Sequence, residues 1–366
     1  MADGHAPADS RIAKLRLLRS PRIGPVTYAQ LVARFGSATA ALDALPMLAA
    51  RGGGKPPEIV PLALVEREIA SVEGLGARYL FIDDGDYPCL LAEIDSAPPA
   101  LIVRGDTALL ARPCVAMVGA RNASAAARRF ARDLAHALSG EGVTIVSGLA
   151  RGIDTAAHIG SIDGGTVGVI ASGIDIAFPP ENAELQEAVA TRGLLIAEQP
   201  PGAEPRARQF PWRNRIIAGA SLATVVVEAA PKSGSLITAR LAGEMGRDVL
   251  AVPGSPLDPR AQGCNLLIRE GATLVQNAAD ILEAVRPIDH RALRSPQSDY
   301  TAPPSATDAS DRERTAVLEL LSPVAVAVDE IIRQSGLPPA IVQTVLLELE
   351  LAGRLERHAG GRVSLV

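Results

Sequence analysis

The chain has 366 residues, 48 % hydrophobic and 21 % charged, enough apolar side chain for a sizeable core and a length suited to two or three domains. A net charge of -5 excludes the uniformly basic surface of a nonspecific chromatin-type binder, although it leaves room for a local basic groove, because binding depends on where charge sits. Cys89, Cys114 and Cys264 are far apart with no Cys-x-x-Cys pair, and His5, His136, His158, His290 and His358 are scattered, so neither a disulfide framework nor a metal cluster is expected.

Residues 1–10 are polar and small, with no apolar signal core, and no run near ~18 apolar residues follows, which points to a cytoplasmic protein without a membrane partner. Short helices are predicted over Ile12–Leu18, Tyr28–Phe35, Thr39–Leu45 and Pro61–Ser71, with a turn at Ile23-Gly24-Pro25 and a stop at Pro46. This makes a helical module over 1–75. Within it, Arg51-Gly52-Gly53-Gly54-Lys55 superficially resembles a phosphate loop, but no strand precedes it and Pro56-Pro57 follows, so a flexible turn is expected. Between Tyr79 and Leu110, extended pieces near Asp86-Tyr87-Pro88 and Ala97–Leu101 begin the main sheet.

From there strands and helices alternate. Strands are expected at Val115–Val118, Val143–Ser147, Thr166–Ile170, Leu194–Ala197, Ala223–Val227, Asp248–Val252 and Ala272–Val275. Nearly continuous apolar strands separated by helices imply a parallel α/β sheet covered on both faces. The helix Ser124–Ser139 packs through Ala127, Phe130, Leu134 and Leu138 and turns Arg128, Arg129 and Arg132 elsewhere. The core domain spans 76–290, a Pro- and Ser-rich linker 291–310, and a tail domain 311–366. In the tail, helices at Glu313–Leu321, Val328–Ser335 and Pro339–Ala352 precede a small hairpin, the order of a winged helix.

The chemistry sits on loops at the strands' carboxyl ends. Val118-Gly119-Ala120-Arg121 is a tight glycine turn with a projecting arginine, not a Gly-x-Gly-x-x-Gly fingerprint, so no nicotinamide, flavin or other cofactor is expected. In Ser147-Gly148-Leu149-Ala150-Arg151-Gly152-Ile153-Asp154, Gly148 and Gly152 offer backbone N–H groups to a phosphate. The alternative is internal, with Asp154 capping a helix and His158 packing beside it. Arg206, Arg208, Phe210, Arg213, Asn214 and Arg215 combine guanidinium groups with an aromatic face, a set suited to single-stranded nucleic acid. Two readings stay open here, since Phe210 and Trp212 also suit a core, with Arg213 and Arg215 pairing Glu198 or Glu228. Lys232 before Ser233-Gly234-Ser235 completes the set of candidates.

Taken in order, Val118–Arg121, Ser147–Asp154 with Ala157-His158, Phe210-Pro211 before Arg213–Gly219, Ser233–Ala239, Gly246-Arg247, Pro253-Gly254 and Gly271-Ala272 resemble the bacterial DNA-processing protein A family, also called DprA or Smf. The resemblance implies an extended Rossmann-like core that binds and protects single-stranded DNA without catalysis and loads the RecA recombinase onto it during natural transformation. It further implies an N-terminal sterile-alpha-motif-like module, a C-terminal winged helix, a homodimer through the Rossmann-like domain, and a single-stranded-DNA-binding protein as a further candidate partner. Arg121 matches the arginine of the family's Gly-Ser-Arg turn, with Ala120 in place of serine, and Phe210 matches a base-stacking aromatic. Where some members carry a lysine, this chain has Ala207, so Arg206 or Arg208, preferably Arg208, supplies the charge.

Two other classes compete. Enzymes that cleave nucleoside monophosphates carry a Pro-Gly-Gly-x-Gly-Thr-x-x-Glu turn, but here Thr238 takes the place of the acidic residue, and no Gly-x-Ser-x-Gly, His-Glu-x-x-His or Walker motif is found. A pure assembly scaffold is the other. In the tail, Pro339–Ala352 offers only Gln343 to a major groove, alongside Glu348 and Glu350, so protein contacts or modest help from Arg354, Arg357 and Arg362 are expected there.

Overall fold

The computed structural model describes residues 11–55, 57–285, 308–358 and 360–366, which form two compact units, one within 1–66 and 295–366 and the other within 67–294. The chain begins with α1 (Arg11–Arg19), α2 (Pro25–Phe35) and α3 (Ala38–Arg51). Pro25 suits a helix's first turn, where its missing N–H has no intrahelical partner, and Ser37 caps α3 by accepting from Ala40 N at 3.1 Å. The sequence placed a stop at Pro46, but α3 runs through it to Arg51. Beyond the proline, Leu48 and Ala49 are fully buried together with Leu45. Burying such side chains, at about 1.5–3 kcal/mol for a leucine, offsets the ~3 kcal/mol an interior proline costs.

α4 (Leu62–Gly74) leads into the second unit, whose sheet has nine strands. In chain order its elements are β1 (Arg78–Phe81), α5 (Cys89–Ala92), β2 (Ala100–Gly105), β3 (Cys114–Val118), α6 (Ala125–Gly140), β4 (Thr144–Ser147) and α7 (Ile153–Ser161). Then follow β5 (Thr166–Gly173), α8 (Ala183–Arg192), β6 (Leu194–Gln199), α9 (Gln209–Gly219), β7 (Ala223–Val226), α10 (Gly234–Glu244), β8 (Asp248–Ala251), α11 (Gln262–Arg269), β9 (Thr273–Leu274) and α12 (Ala278–Val285). The strand order is β1-β2-β6-β5-β4-β3-β7-β8-β9. Every pairing from β6 to β9 is parallel, as the apolar runs implied, whereas β2 joins β6 antiparallel and β1 joins β2 antiparallel, which extends the sheet at one edge.

Alternation along the central strand divides the core in two. Val115 and Met117 point to a layer with Leu134, Leu138, Ile153 and Ile281 of α6, α7 and α12. Ala116 and Val118 face the opposite layer, with Leu91, Ile216, Ile217 and Ala239 of α5, α9 and α10.

The tail holds α13 (Asp311–Glu319), β10 (Val326–Ala327), α14 (Val328–Ser335), α15 (Pro339–Leu351), β11 (Leu355–His358) and β12 (Arg362–Leu365), the last three strands pairing as β10-β12-β11. The winged-helix order is present, but this segment does not stand apart as expected: it shares a unit with the N-terminal helices. Leu347 and Leu351 enter the core of α1–α3, while Val342, Val345, Leu346 and Leu349 fill the core of the tail itself. The Arg51–Lys55 run is accordingly a packing device. A Cβ at Gly52 would lie 2.1 Å from Glu348 O, and one at Gly54 2.2 Å from Ala352 O, so only glycine lets this turn lie against α15. The expected linker over 291–310 lies outside the described residues except for 308–310. Among the described residues no single helix is long and apolar enough to cross a membrane.

Candidate nucleic-acid interface

β3 and β7 are neighbours, yet the chain leaves them in opposite directions across the sheet, through β4–β6 on one side and β8–β9 on the other. Loops therefore diverge at the carboxyl ends of these two strands and open the crevice where α/β sheets take ligands. Gly119 turns the chain into it. A Cβ there would meet Ile153 Cγ1 at 2.5 Å and Glu228 O at 3.0 Å, and the next residue clamps the turn, Ala120 N donating to Glu228 O at 2.6 Å. The Glu228 side chain, buried, fixes the following helix start: Oε2 accepts from Ser124 N at 2.9 Å and from Ser124 Oγ at 3.1 Å, and Oε1 lies 3.2 Å from Arg260.

On this clamped turn Arg121 is exposed, with its guanidinium 5.3 Å from the centroid of the Phe210 ring. Phe210 stands in the first turn of α9, half-buried, and its ring lies 5.8 Å from that of Phe178 at an angle of 53°. Phe178 is 43 % exposed. It sits in the loop after β5, a segment without periodicity, which is why sequence reasoning passed over it; an aromatic directly before Pro179-Pro180 at a strand's carboxyl end is the signal available. Arg206 and Arg208 are exposed on the arm leading into α9, where Gln209 Oε1 accepts from Arg206 N. Arg151 is also exposed and pairs with Glu181, whose carboxyl this contact holds below the usual range.

Arg213, Asn214 and Arg215, expected as contacts to DNA, are all buried and are removed from the exposed set. Arg213 Nη1 donates to Gly148 O at 2.6 Å and Val169 O at 2.8 Å. Burial lowers its pKa to about 10, with the Asp154 carboxylate opposing the shift. Arg215 donates to Glu198 Oε1 at 2.5 Å, the internal pairing that the sequence left open. These arginines hold the end of α9 to the sheet and thereby position Phe210.

The Gly148–Asp154 loop is likewise turned inward. Gly148 N and Ala150 N donate to Asp154 Oδ2 at 3.1 and 3.4 Å, so Gly148 has no N–H left for a phosphate. Its glycine is needed because a Cβ would lie 1.9 Å from Arg213 Nη1. Gly152, at φ +80, brings the backbone against the first turn, where a Cβ would be 2.2 Å from Ala120 O. His158, fully buried, accepts from Leu149 N at Nε2 (3.4 Å), which leaves Nδ1 to donate to Thr166 Oγ1 (2.7 Å). Burial first, and then the nearby Arg213, lower its pKa to about 3. It is a neutral structural group.

At the start of α10, Lys232 and Gly234 are exposed, while Ser233 caps the helix and the Ser233 and Ser235 hydroxyls bond each other at 2.7 Å. α10 packs beside α9. A hollow of about 280 Å³ at the ends of β7 and β8 is lined by Glu228, Asp258, Phe130 and Gly254, a lining without the cations an anion needs. Among the described residues no group of three or more His, Cys, Asp or Glu could hold a metal; His5 and His290 lie outside them. Cys114 and Cys264 are buried thiols with pKa pushed up to about 12 by desolvation.

Residues 78–286 match the family model described as DNA recombination-mediator protein A, residues 8–71 the DprA-like N-terminal HHH domain, and residues 301–361 the DprA winged helix domain. Protein Smf of Synechocystis sp. is 36 % identical over 315 residues, 78 % of this chain and 79 % of that protein. The X-ray structure of DNA processing protein A from Streptococcus pneumoniae superposes with a TM-score of 0.59 at 40 % identity, covering 62 % of this chain and 79 % of that one. DNA processing protein A from Helicobacter pylori, whose structure describes a single-stranded DNA binding mode, gives a TM-score of 0.52 at 28 % identity over 56 % of this chain and 94 % of that one. A switch-point crevice with a clamped Gly-Ala-Arg turn, flanked by domains that match in the same order, thus belongs to a chain of the DNA recombination-mediator protein A (DprA/Smf) family.

Proposed function

We propose that this chain binds single-stranded DNA, without strong sequence preference, along the crevice at the ends of β3 and β7. One observation carries the reading: Arg121 and Phe210 meet at a switch point, an exposed cation over an accessible ring, with Phe178 beside them. A phosphate pairs with the guanidinium while an unstacked base lies on the ring, and a duplex, whose bases are already stacked inward, satisfies only the first contact. Arg206, Arg208, Arg151 and Lys232, all exposed, extend the cationic path. The single-stranded DNA binding described for the Helicobacter pylori relative supports the same ligand.

The role is non-catalytic. Thr238, in place of the acidic residue of enzymes that cleave the glycosidic bond of nucleoside monophosphates, is itself buried, and the carboxylates of Glu198, Glu228 and Asp154 are each committed to internal partners. Family membership extends the proposal to the cell: the protein protects incoming single strands in the cytoplasm, pairs with a second copy through the Rossmann-like unit, and loads RecA onto those strands during natural transformation, with a single-stranded-DNA-binding protein as a further candidate partner. Competition of a labelled ~30-nucleotide strand with its own duplex tests the binding. The strand is expected to be held far more tightly; equal affinity for the duplex would overturn the proposal.

A further inference from the structure

The N-terminal end of α9 carries a second aromatic that the Arg121–Phe210 contact does not use. Trp212 is 52 % exposed, although every residue from Arg213 to Ala220 is buried. Tryptophan is among the most costly side chains to leave half in water, and a helix that buries its next eight residues has ample interior in which to hide one. The ring is also held. The Arg215 guanidinium lies 5.9 Å from its centroid, and Arg215 is itself only 8 % exposed and pinned by Glu198 at 2.5 Å. Arg215 Nη1 is buried without a hydrogen-bond acceptor, which leaves the electron-rich indole face to take up part of the cation's field. One face of the indole therefore rests on a fixed cation, and the other face is available.

We infer that Trp212 is a second base-stacking platform, receiving an unpaired nucleobase on the face turned away from Arg215. Positions two apart on a helix project to different sides, so Phe210 and Trp212 serve separate bases of a strand that crosses the start of α9. Arg206 and Arg208 precede both on the same arm, and the ion pairs of this region, Arg151–Glu181 and Arg215–Glu198, leave these two out. They supply phosphate contacts beside either ring. The inference rests on the single-strand reading of the adjoining crevice.

The chain contains one tryptophan, so its emission reports on this position alone. The experiment titrates the full-length protein with unlabelled ~30-nucleotide oligothymidylate, following Trp212 emission, and in parallel with a dye-labelled strand, following anisotropy. Quenching is expected along the anisotropy isotherm. Trp212→Ala is expected to weaken binding by roughly 5- to 150-fold, the loss of one stacked base, with an unchanged salt slope, and Trp212→Phe to recover most of it. If the wild-type chain binds the labelled strand while its emission stays constant and Trp212→Ala binds as tightly, the platform falls and the crevice reading stands. If the wild-type chain binds no strand, both fall. A loss of affinity that arrives with a lowered denaturation midpoint, or that phenylalanine does not restore, also overturns the inference.

Discussion

Two elements of this chain have the form of a nucleic-acid reader, and they differ in what they leave exposed. At the start of α9, Arg206, Arg208 and Trp212 are exposed and Phe210 and Arg121 meet at the surface, while the helix from Arg213 onward is buried. In the tail, α15 stands where a winged helix carries its recognition helix, yet Ile341, Val342, Thr344, Val345, Leu346, Leu347, Glu348, Leu349 and Leu351 are all buried. Its Gln343, the one amide a base edge could use, is bonded to Gln30 at 3.1 Å, and Arg22 donates to Leu351 O at 3.0 Å. Motif order alone does not make a reading surface. The difference lies in which faces the rest of the chain has already covered, and α15 is spent on holding the two ends of the chain together.

The strongest way to break this contrast is to attack the buried base of α9. Arg213→Leu strips Gly148 O and Val169 O of their donor and leaves Asp154 buried without its cation, a loss of about 3–5 kcal/mol in stability read by urea denaturation. A variant of unchanged stability that lost strand affinity would instead make Arg213 a direct contact. His158 sharpens the same point through pH. The folded protein keeps the imidazole neutral down to about 3, whereas the unfolded chain protonates it below about 6.5. The unfolded state thus binds the extra proton, and this contribution to stability falls by up to about 1.4 kcal/mol per pH unit as pH drops through that window. His158→Gln is expected to flatten that acid limb; an unchanged limb would remove His158 as its source.

On the tail side, Glu348, 1 % exposed, receives Arg314 at 2.8 and 3.0 Å. Glu348→Gln is expected to cost about 1–3 kcal/mol, less than a wholly buried pair because Arg314 reaches solvent, with strand affinity intact. Gln343→Ala is expected to be smaller still, within about 0.5–1.5 kcal/mol of stability for one lost hydrogen bond, and to leave duplex affinity unchanged. A marked fall in duplex binding would restore α15 as a reader.

Much of the core was legible because buried parallel strands are short, continuous apolar runs: all seven strands expected between Val115 and Val275 are present within a few residues. The tight turn at Gly119 was legible from a glycine at a strand's carboxyl end, and Phe210, expected near the cations, lies against Arg121. The destination of Arg213 and Arg215 was not, since their partners, Gly148 O, Val169 O and Glu198, come from other strands and only the fold brings them together. Phe178 escaped because its loop has no periodicity, and only the fold sets its ring beside Phe210. So did the covering of α15, whose partners stand at the opposite end of the sequence, and the passage of α3 through Pro46, decided by the burial of Leu48 and Ala49 and not by local propensity.

The most direct test of the exposed pair is the salt dependence of strand binding by the wild-type chain, Arg121→Ala and Phe210→Ala, since the slope counts released counterions. The account predicts that Arg121→Ala lowers the slope by about 0.7, one phosphate contact on a single strand. Phe210→Ala is predicted to weaken binding by about 1–3 kcal/mol with the slope preserved. Equal loss of slope in both variants, or none in either, would contradict the division of this surface into a cation for the phosphate and a ring for the base.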